Sequence, residues 1–395
     1  MKQAVAILWL EDIDPAKLEA VPSLSALLTS GADLRLAPLP LTEKGQCYYQ
    51  TLTGVGPAKF GRFDAVRPET YQSFPNMSTP DGTLGLLLPD LLRSKKLVGD
   101  WREITSVNDL STLTTPHFDF ALIRLLKAGS FTPKALDAIV SRFLELAAAA
   151  THIFVLTDVW SSAPHTLVNI NDFFADTGLL EVNRLRRQAH IVWSETLAYG
   201  LGSGQIWINL RGREAQGVVG TGREYQEVCE ALVHELRHNW LDPRTNEPVV
   251  EQVYKKEEIY SGEYLFKAPD LVTVYRPGYA PSARAVALDL DGTSVSPAES
   301  PFQAQTPYAR LIAYGPALAQ TVSKQAALID VVPTLIYLLG LPIPQRIDGE
   351  VITGIFTQAH LAQHPVTRID DTENMLSDDE EGLIVDRLRD LGYLG

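Results

Sequence analysis

Unbroken apolar runs that end on polar residues constrain the fold of this chain more than any other feature. Such runs occupy Ala4–Leu10 and, apart from Asp119, Phe118–Ile123, and a third occupies Ile153–Leu156; they are rich in β-branched and aromatic side chains. A strand without an alternating polar side is buried on both faces, as strands of parallel sheets are. The third run stops at Thr157 and Asp158. It therefore predicts a buried strand followed by a polar turn.

Amphipathic helices are predicted between these strands. Asp14-Pro15 has the pattern of an N-cap followed by proline at the first helical position, and an apolar stripe runs from Leu18 to Leu28. Thr132-Pro133 starts a second such helix, which runs to Ala150. Strands that alternate with amphipathic helices predict an α/β protein with a doubly wound, largely parallel sheet.

The alternation weakens after Asp158. Polar segments rich in proline and glycine between residues 181 and 285 predict a lobe inserted at the sheet edge. The β-α pattern returns with Ala309–Ala313, and Ser377 caps a final helix over residues 377–395. We therefore predict one domain over residues 1–395 that contains the lobe and ends in the C-terminal helix.

Composition excludes several partners and compartments. The formal net charge of −14 and the sequence pI of about 5.1 argue against a nucleic-acid surface. Cys47 and Cys229 are too few for a disulfide framework and wrongly spaced for a zinc knuckle. Ala4–Leu10 is too short for a signal peptide, and no run approaches the roughly 18 apolar residues of a membrane span. We expect a cytoplasmic protein that binds neither nucleic acid nor membrane.

Asp158 has two interpretations from the residues alone. In open α/β sheets, ligands bind outside the carboxyl ends of the strands, which makes an acidic residue there a candidate site residue. Alternatively, its carboxylate caps the turn that follows the strand.

Short motifs along nearly the whole chain follow one another in a characteristic order. They are Trp9-Leu-Glu-Asp-Ile-Asp-Pro, Thr53-Gly-Val-Gly-Pro-Ala-Lys-Phe-Gly, Leu156-Thr-Asp-Val-Trp, Ile208-Asn-Leu-Arg-Gly-Arg-Glu, Asp242-Pro-Arg-Thr, Ile312-Ala-Tyr-Gly-Pro and Asp330-Val-Val-Pro-Thr-Leu. In this order the chain resembles the type I phosphodiesterase/nucleotide pyrophosphatase branch of the alkaline phosphatase superfamily. The resemblance implies a three-layer αβα sandwich with a largely parallel central sheet and a smaller inserted lobe.

The resemblance also implies a chemistry. Members of this branch hold two divalent metals, usually zinc, through Asp and His ligands that flank a Thr or Ser nucleophile. Two neighbouring cations stabilise the attacking and leaving oxygens of an in-line phosphoryl displacement, and one lowers the pKa of the nucleophile.

The metal-ligand positions that the resemblance implies are largely substituted here. The first Asp falls on Glu11, followed by Asp12 in place of a glycine, whereas Asp158 is retained. Val159 replaces the histidine that normally follows Asp158, and Gln305 replaces the last histidine.

The strand-end pair and the nucleophile are also changed. Arg124 and Lys127 stand where an acid and a histidine are expected. Counting back from Thr53 without a gap puts the nucleophile on Lys44, and a two-residue slip in the loop would put it on Thr42.

Because the substitutions fall on one functional unit, we interpret the chain as catalytically impaired or as a pseudoenzyme. Glu11, Asp12 and Asp158 would form a partial metal site. Lys44, Arg124 and Lys127, unless they are solvated surface charges, would bind a phosphate-containing small molecule without an ion. Gln305 is predicted to contact the same ligand. The alternative is an active phosphodiesterase or phosphatase with relocated ligands for zinc or another divalent metal.

A separate motif supports a third hypothesis. His234-Glu-Leu-Arg-His238 is a literal HExxH, which on a helix places two imidazoles on one face beside a glutamate, as in zinc peptidases. The buried stripe of Val228, Leu232 and Leu236, together with the lack of an obvious third ligand, favours an ordinary surface helix instead.

Overall fold

The computed structural model describes residues 4–39, 50–60, 63, 92, 95–106, 109, 118–147, 152–159, 164–185, 188–201, 204–282, 293–298 and 308–370. Three candidate site residues, Thr42, Lys44 and Gln305, lie outside these ranges, as does the predicted helix over 377–395. Their assignments stay predictions.

Eighteen strands are formed by the described residues. They are β1 Val5–Leu10, β2 Ala32–Ala37, β3 Gly99–Ile104, β4 Phe120–Leu125, β5 His152–Thr157, β6 Thr166–Val168, β7 Val182–Leu185, β8 Gln188–Ile191, β9 Ala198–Leu201, β10 Gln205–Ile208, β11 Val250–Lys255, β12 Leu271–Tyr275, β13 Tyr279–Pro281, β14 Val295–Pro297, β15 Ala309–Tyr314, β16 Thr321–Ala327, β17 Ile343–Pro344 and β18 Arg368–Ile369.

Eight α-helices lie between these strands in the same part of the chain. They are α1 Ser25–Ser30, α2 Pro57–Phe60, α3 Pro133–Leu146, α4 Ile170–Asp176, α5 Arg223–His238, α6 Lys256–Ile259, α7 Val331–Leu338 and α8 Gln358–Gln363. None of them combines the length and the apolar character that crossing a bilayer requires.

The central sheet has seven strands in the order β16-β2-β15-β5-β1-β4-β3. β1 pairs in parallel with both β4 and β5, and among the described strands of this sheet only β15 runs antiparallel to its neighbours. The predicted α/β fold with a largely parallel sheet is therefore confirmed.

Both faces of this sheet are covered. Alternate residues of β1 belong to two separate cores: Val5, Ile7 and Trp9 pack on the side of α7, and the intervening residues pack on the side of α3. Burial on both faces accounts for the continuous apolar sequence of β1, since neither side of the strand meets water.

The helix predicted from Pro15 is broken into three pieces. The chain forms two 3-10 segments, Pro15–Ala20 and Pro22–Leu24, before α1 begins at Ser25. Pro22 has no backbone N–H and cannot continue a regular helix, so the prediction of one helix was wrong. The apolar stripe still packs, because Leu18 and Leu24 are fully buried.

A second hydrophobic core lies outside the central sheet. The antiparallel sheet β11-β12-β10-β9 packs against α5 and encloses Trp207, Trp240 and Leu232. This core also includes Val168, Phe173 and Phe174, which precede residue 181. The division of the chain into a main body and a lobe over 181–285 stays a prediction.

His152 at the start of β5 is fully buried. Its Nε2 accepts a hydrogen bond from the Ala317 N–H at 3.3 Å, while its Nδ1 has no hydrogen-bond partner among the described residues. Burial, together with the nearby charge of His360, lowers the pKa of His152 from 6.5 to about 4. The folded protein therefore resists protonation of this ring.

We predict that His152 makes the fold sensitive to acid. Because its pKa is lower in the folded state, the unfolded chain binds the proton more readily, and stability falls as the pH drops from about 6.5 to about 4. His152→Leu should remove about 2–3 kcal/mol of this loss. Urea unfolding across this pH range measures it, with the exposed His190→Leu as control. An unchanged pH dependence in His152→Leu would refute the assignment.

Candidate functional site

The carboxyl ends of β1, β4 and β5 meet at one edge of the central sheet. Since the three strands are parallel and in register, Leu10 pairs with Leu125 on one side and with Thr157 on the other. The residues that follow these strand ends therefore lie side by side. They include Glu11 and Asp158, which the resemblance marks as metal ligands.

Glu11 forms an ion pair with Arg124 across the first two strands. The Arg124 Nε–H donates to Glu11 Oε1 at 2.6 Å, and its Nη2 also contacts that oxygen. Arg124 Nη1 donates to Glu103 Oε1 on β3 at 2.5 Å. The guanidinium stands 5.9 Å from the ring centroid of Trp9, in the range of a cation–π contact. Arg124 is thus bound on both sides by carboxylates.

Asp158 is held by the backbone of the turn after β1. Its two carboxylate oxygens accept from the Asp12 N–H at 3.0 and 3.2 Å, and only 6% of the residue is exposed. Asp12 has a left-handed backbone with φ of 57°. A Cβ on Gly129 would lie 2.1 Å from the Asp12 carbonyl oxygen, so glycine is required for this close approach.

Lys127 lies in the turn after β4 and takes no part in the ion pairs of Arg124 with Glu11 and Glu103. It is exposed, with a left-handed backbone at φ of 54°. Its carbonyl accepts from the Ser130 hydroxyl at 2.8 Å, and its ammonium takes part in no ion pair among the described residues. Arg124 and Lys127, which were predicted to bind one ligand together, therefore have different surroundings.

The segment after the predicted nucleophile loop is anchored by Asp348. The Gly54 carbonyl accepts from the Asp348 and Gly349 N–H groups at 3.0 Å each. The Asp348 carboxylate accepts from the Gly56 N–H at 2.8 Å and pairs with the Lys59 ammonium at 2.6 Å. This bonding fixes the loop at Gly54 and the start of α2.

A buried charge cluster in the second core belongs to the scaffold. Asp270 accepts from both Nη atoms of Arg213, from Lys256 and from the Tyr225 hydroxyl. Burial alone would raise the pKa of Asp270, but Arg213 and Lys256 hold it below its usual range. Burial raises the pKa of the neighbouring Cys229 to about 11, which disfavours the reactive thiolate form near neutral pH.

The HExxH segment forms the last turns of α5, and both imidazoles are exposed. Glu235 accepts from the Asn239 side chain at 2.8 Å. No group of three or more His, Cys, Asp or Glu side chains among the described residues is arranged to hold a metal ion.

The described residues at the sheet edge do not fit a two-zinc centre. Glu11 is paired with a guanidinium, and Asp158 is bonded to a backbone N–H. Among the described residues no imidazole joins either carboxylate to complete a metal site, whereas zinc sites of this kind combine imidazoles with carboxylates. The roles of Glu11, Asp12 and Asp158 as a partial metal site stay predictions.

Sequence reasoning missed Glu103. No strand was predicted over residues 99–104, although the pairing of β3 with β4 places Glu103 directly beside Arg124. An acidic residue at the end of a predicted strand next to an unexplained arginine is the signal that could have found it.

Comparison with known proteins supports the fold. The sequence matches no described protein family and no curated protein. The structure is similar to murine ectonucleotide pyrophosphatase/phosphodiesterase 5, with a TM-score of 0.51 and 13% identity over 90% of this chain and 100% of the murine chain. It is also similar to the human protein of the same name, with a TM-score of 0.50 and 13% identity over 92% of this chain and 99% of the human chain. The alkaline-phosphatase-like fold implied by the resemblance is confirmed.

We predict that Arg124→Met lowers the free energy of unfolding by about 1–3 kcal/mol, because Glu11 would keep a half-buried charge without its cation. In Glu11→Gln/Arg124→Met the loss should be smaller than the sum of the single losses. Urea denaturation measures both.

The control for this cycle is the exposed pair between Arg142 and Glu145 on α3. Arg142→Met should cost no more than about 0.5 kcal/mol, because solvent screens that pair. Strictly additive losses at Glu11 and Arg124 would show that the two side chains do not stabilise each other.

Proposed function

We propose that this chain is a catalytically impaired or inactive protein on the fold of the phosphodiesterases. The observation that carries the proposal is the Arg124 guanidinium, which binds Glu11 and Glu103 where the resemblance expects metal ligands. The charge that a metal would neutralise at Glu11 is neutralised by the chain itself.

This substitution changes what the site does chemically. Phosphoryl displacement needs positive charge beside the attacking and leaving oxygens, which carry negative charge, and a nucleophile with a lowered pKa. A guanidinium shared between two carboxylates has no excess positive charge to offer a hydroxyl. The second remaining acid, Asp158, already accepts from the Asp12 N–H, which supports a structural role for this carboxylate.

The proposed ligand is a phosphate-containing small molecule. Lys127 supports this proposal because its ammonium is exposed at the same sheet edge and is paired with no carboxylate of the described residues. An ammonium binds phosphate as a point charge, without the fixed geometry of a guanidinium.

We predict that purified untagged protein hydrolyses bis-p-nitrophenyl phosphate no faster than its Asp158→Asn variant, with or without added zinc. Elemental analysis after dialysis should find no retained pair of zinc ions. Retained zinc together with turnover that Asp158→Asn abolishes would establish the active metal-dependent alternative and overturn the proposal.

We further predict that Lys127→Gln weakens pyrophosphate binding by about threefold to tenfold, since one charge-assisted contact is lost. Calorimetric titration in EDTA measures the affinity. Lys96→Gln is a matched control: Lys96 is also exposed with φ of 54°, but it precedes β3 at the opposite end of the sheet. Equal effects of the two substitutions on the affinity would show that Lys127 is not part of the binding site.

A further inference from the structure

Two histidines on α5 form an exposed pair one helical turn apart. His234 and His238 have ring centroids 4.6 Å apart and an interplanar angle of 28°. Residues four apart on a helix project from the same face, so both imidazoles reach the same volume of solvent. The pair lies on the exposed side of α5, the helix that packs on the second core, and it does not belong to the edge of the central sheet.

The hydrogen bonding of His238 fixes which nitrogen is available. Its Nδ1 lies 3.0 Å from the carbonyl oxygen of His234. A carbonyl only accepts hydrogen bonds, so Nδ1 carries the hydrogen, and in the neutral ring Nε2 keeps its lone pair. Metal-binding histidines characteristically donate their second nitrogen to a carbonyl or carboxylate in this way. His238 therefore has the backbone-bonded Nδ1 that is typical of a metal-binding histidine.

The neighbouring acidic side chains have other partners. Glu235 accepts from Asn239, and Glu230, one turn before His234, lies 3.9 Å from the Lys255 ammonium. With no third histidine, cysteine or acid completing the group among the described residues, the remaining coordination positions would be filled by water. This arrangement lacks the closed ligand set of a structural zinc site and the three protein ligands of a zinc peptidase.

We propose that His234 and His238 form a two-histidine clamp for a divalent transition-metal ion. Imidazole suits copper, nickel and zinc, and divalent first-row metals follow the order in which Cu²⁺ binds most tightly. The clamp therefore prefers Cu²⁺ over Ni²⁺ and Zn²⁺. Binding at both rings also links the last two turns of α5.

The chain contains an internal control with the same spacing. His360 and His364 also have ring centroids 4.6 Å apart. However, the His360 ring stacks on Phe356, and its Nε2 is buried without a hydrogen-bond partner among the described residues. His364 lies past the end of α8, where the backbone is no longer helical. This pair does not present two accessible lone pairs.

The test is titration of untagged protein with Cu²⁺ and Ni²⁺, followed by calorimetry and electron paramagnetic resonance. We expect one Cu²⁺ site whose affinity falls by more than about tenfold in His234→Ala and in His238→Ala. His364→Ala should bind Cu²⁺ like the unchanged chain. Added Cu²⁺ should raise the melting temperature of the unchanged chain and of His364→Ala, but not of the α5 variants.

Two results would overturn the clamp. One is Cu²⁺ affinity that is unchanged in both α5 variants, which would place the ion elsewhere. The other is an equal loss in His364→Ala. Circular dichroism of each variant checks folding, and both α5 side chains are exposed, so their removal leaves the core intact.

Discussion

The parallel pairing of β1 with β4 and β5 is the constraint on which the rest of this structure depends. Every residue of β1 is buried, and its alternate side chains enter two different cores. A shift of one residue in its register would exchange those cores and bury Glu11 in place of Leu10. The register therefore fixes both the packing and the positions of the strand-end carboxylates.

Those carboxylates need partners because they lie beside a buried strand. Arg124 supplies a planar donor that faces Glu11 and Glu103 together, and the left-handed turn at Asp12 aims a backbone N–H at Asp158. A bound cation and a bound guanidinium both compensate the cost of desolvating a carboxylate. The two differ in catalysis, because only the metal ion keeps open coordination positions for a reacting oxygen.

The sequence was sufficient to predict the class of fold and the central strands, because burial on both faces leaves an unambiguous apolar run. It was not sufficient for the segment after Pro15, where proline breaks the helix although the apolar stripe is intact. It identified Glu11, Arg124 and Asp158 as important but not their bonding. The pairing of Glu11 with Arg124 depends on strand order, since these residues are far apart in the chain and adjacent only through the β1–β4 register.

The histidine pairs extend the same argument to metal binding. The pair His234/His238 and the pair His360/His364 have the same spacing in sequence and the same distance between rings. Burial makes Nε2 of His360 inaccessible, whereas His234 and His238 are exposed. A ligand pattern read from sequence specifies which atoms are near one another. Whether those atoms bind a metal depends on which lone pairs remain after the protein has formed its own hydrogen bonds and ion pairs. At the sheet edge the carboxylates of Glu11 and Asp158 are already engaged, whereas on α5 the carbonyl of His234 leaves Nε2 of His238 available.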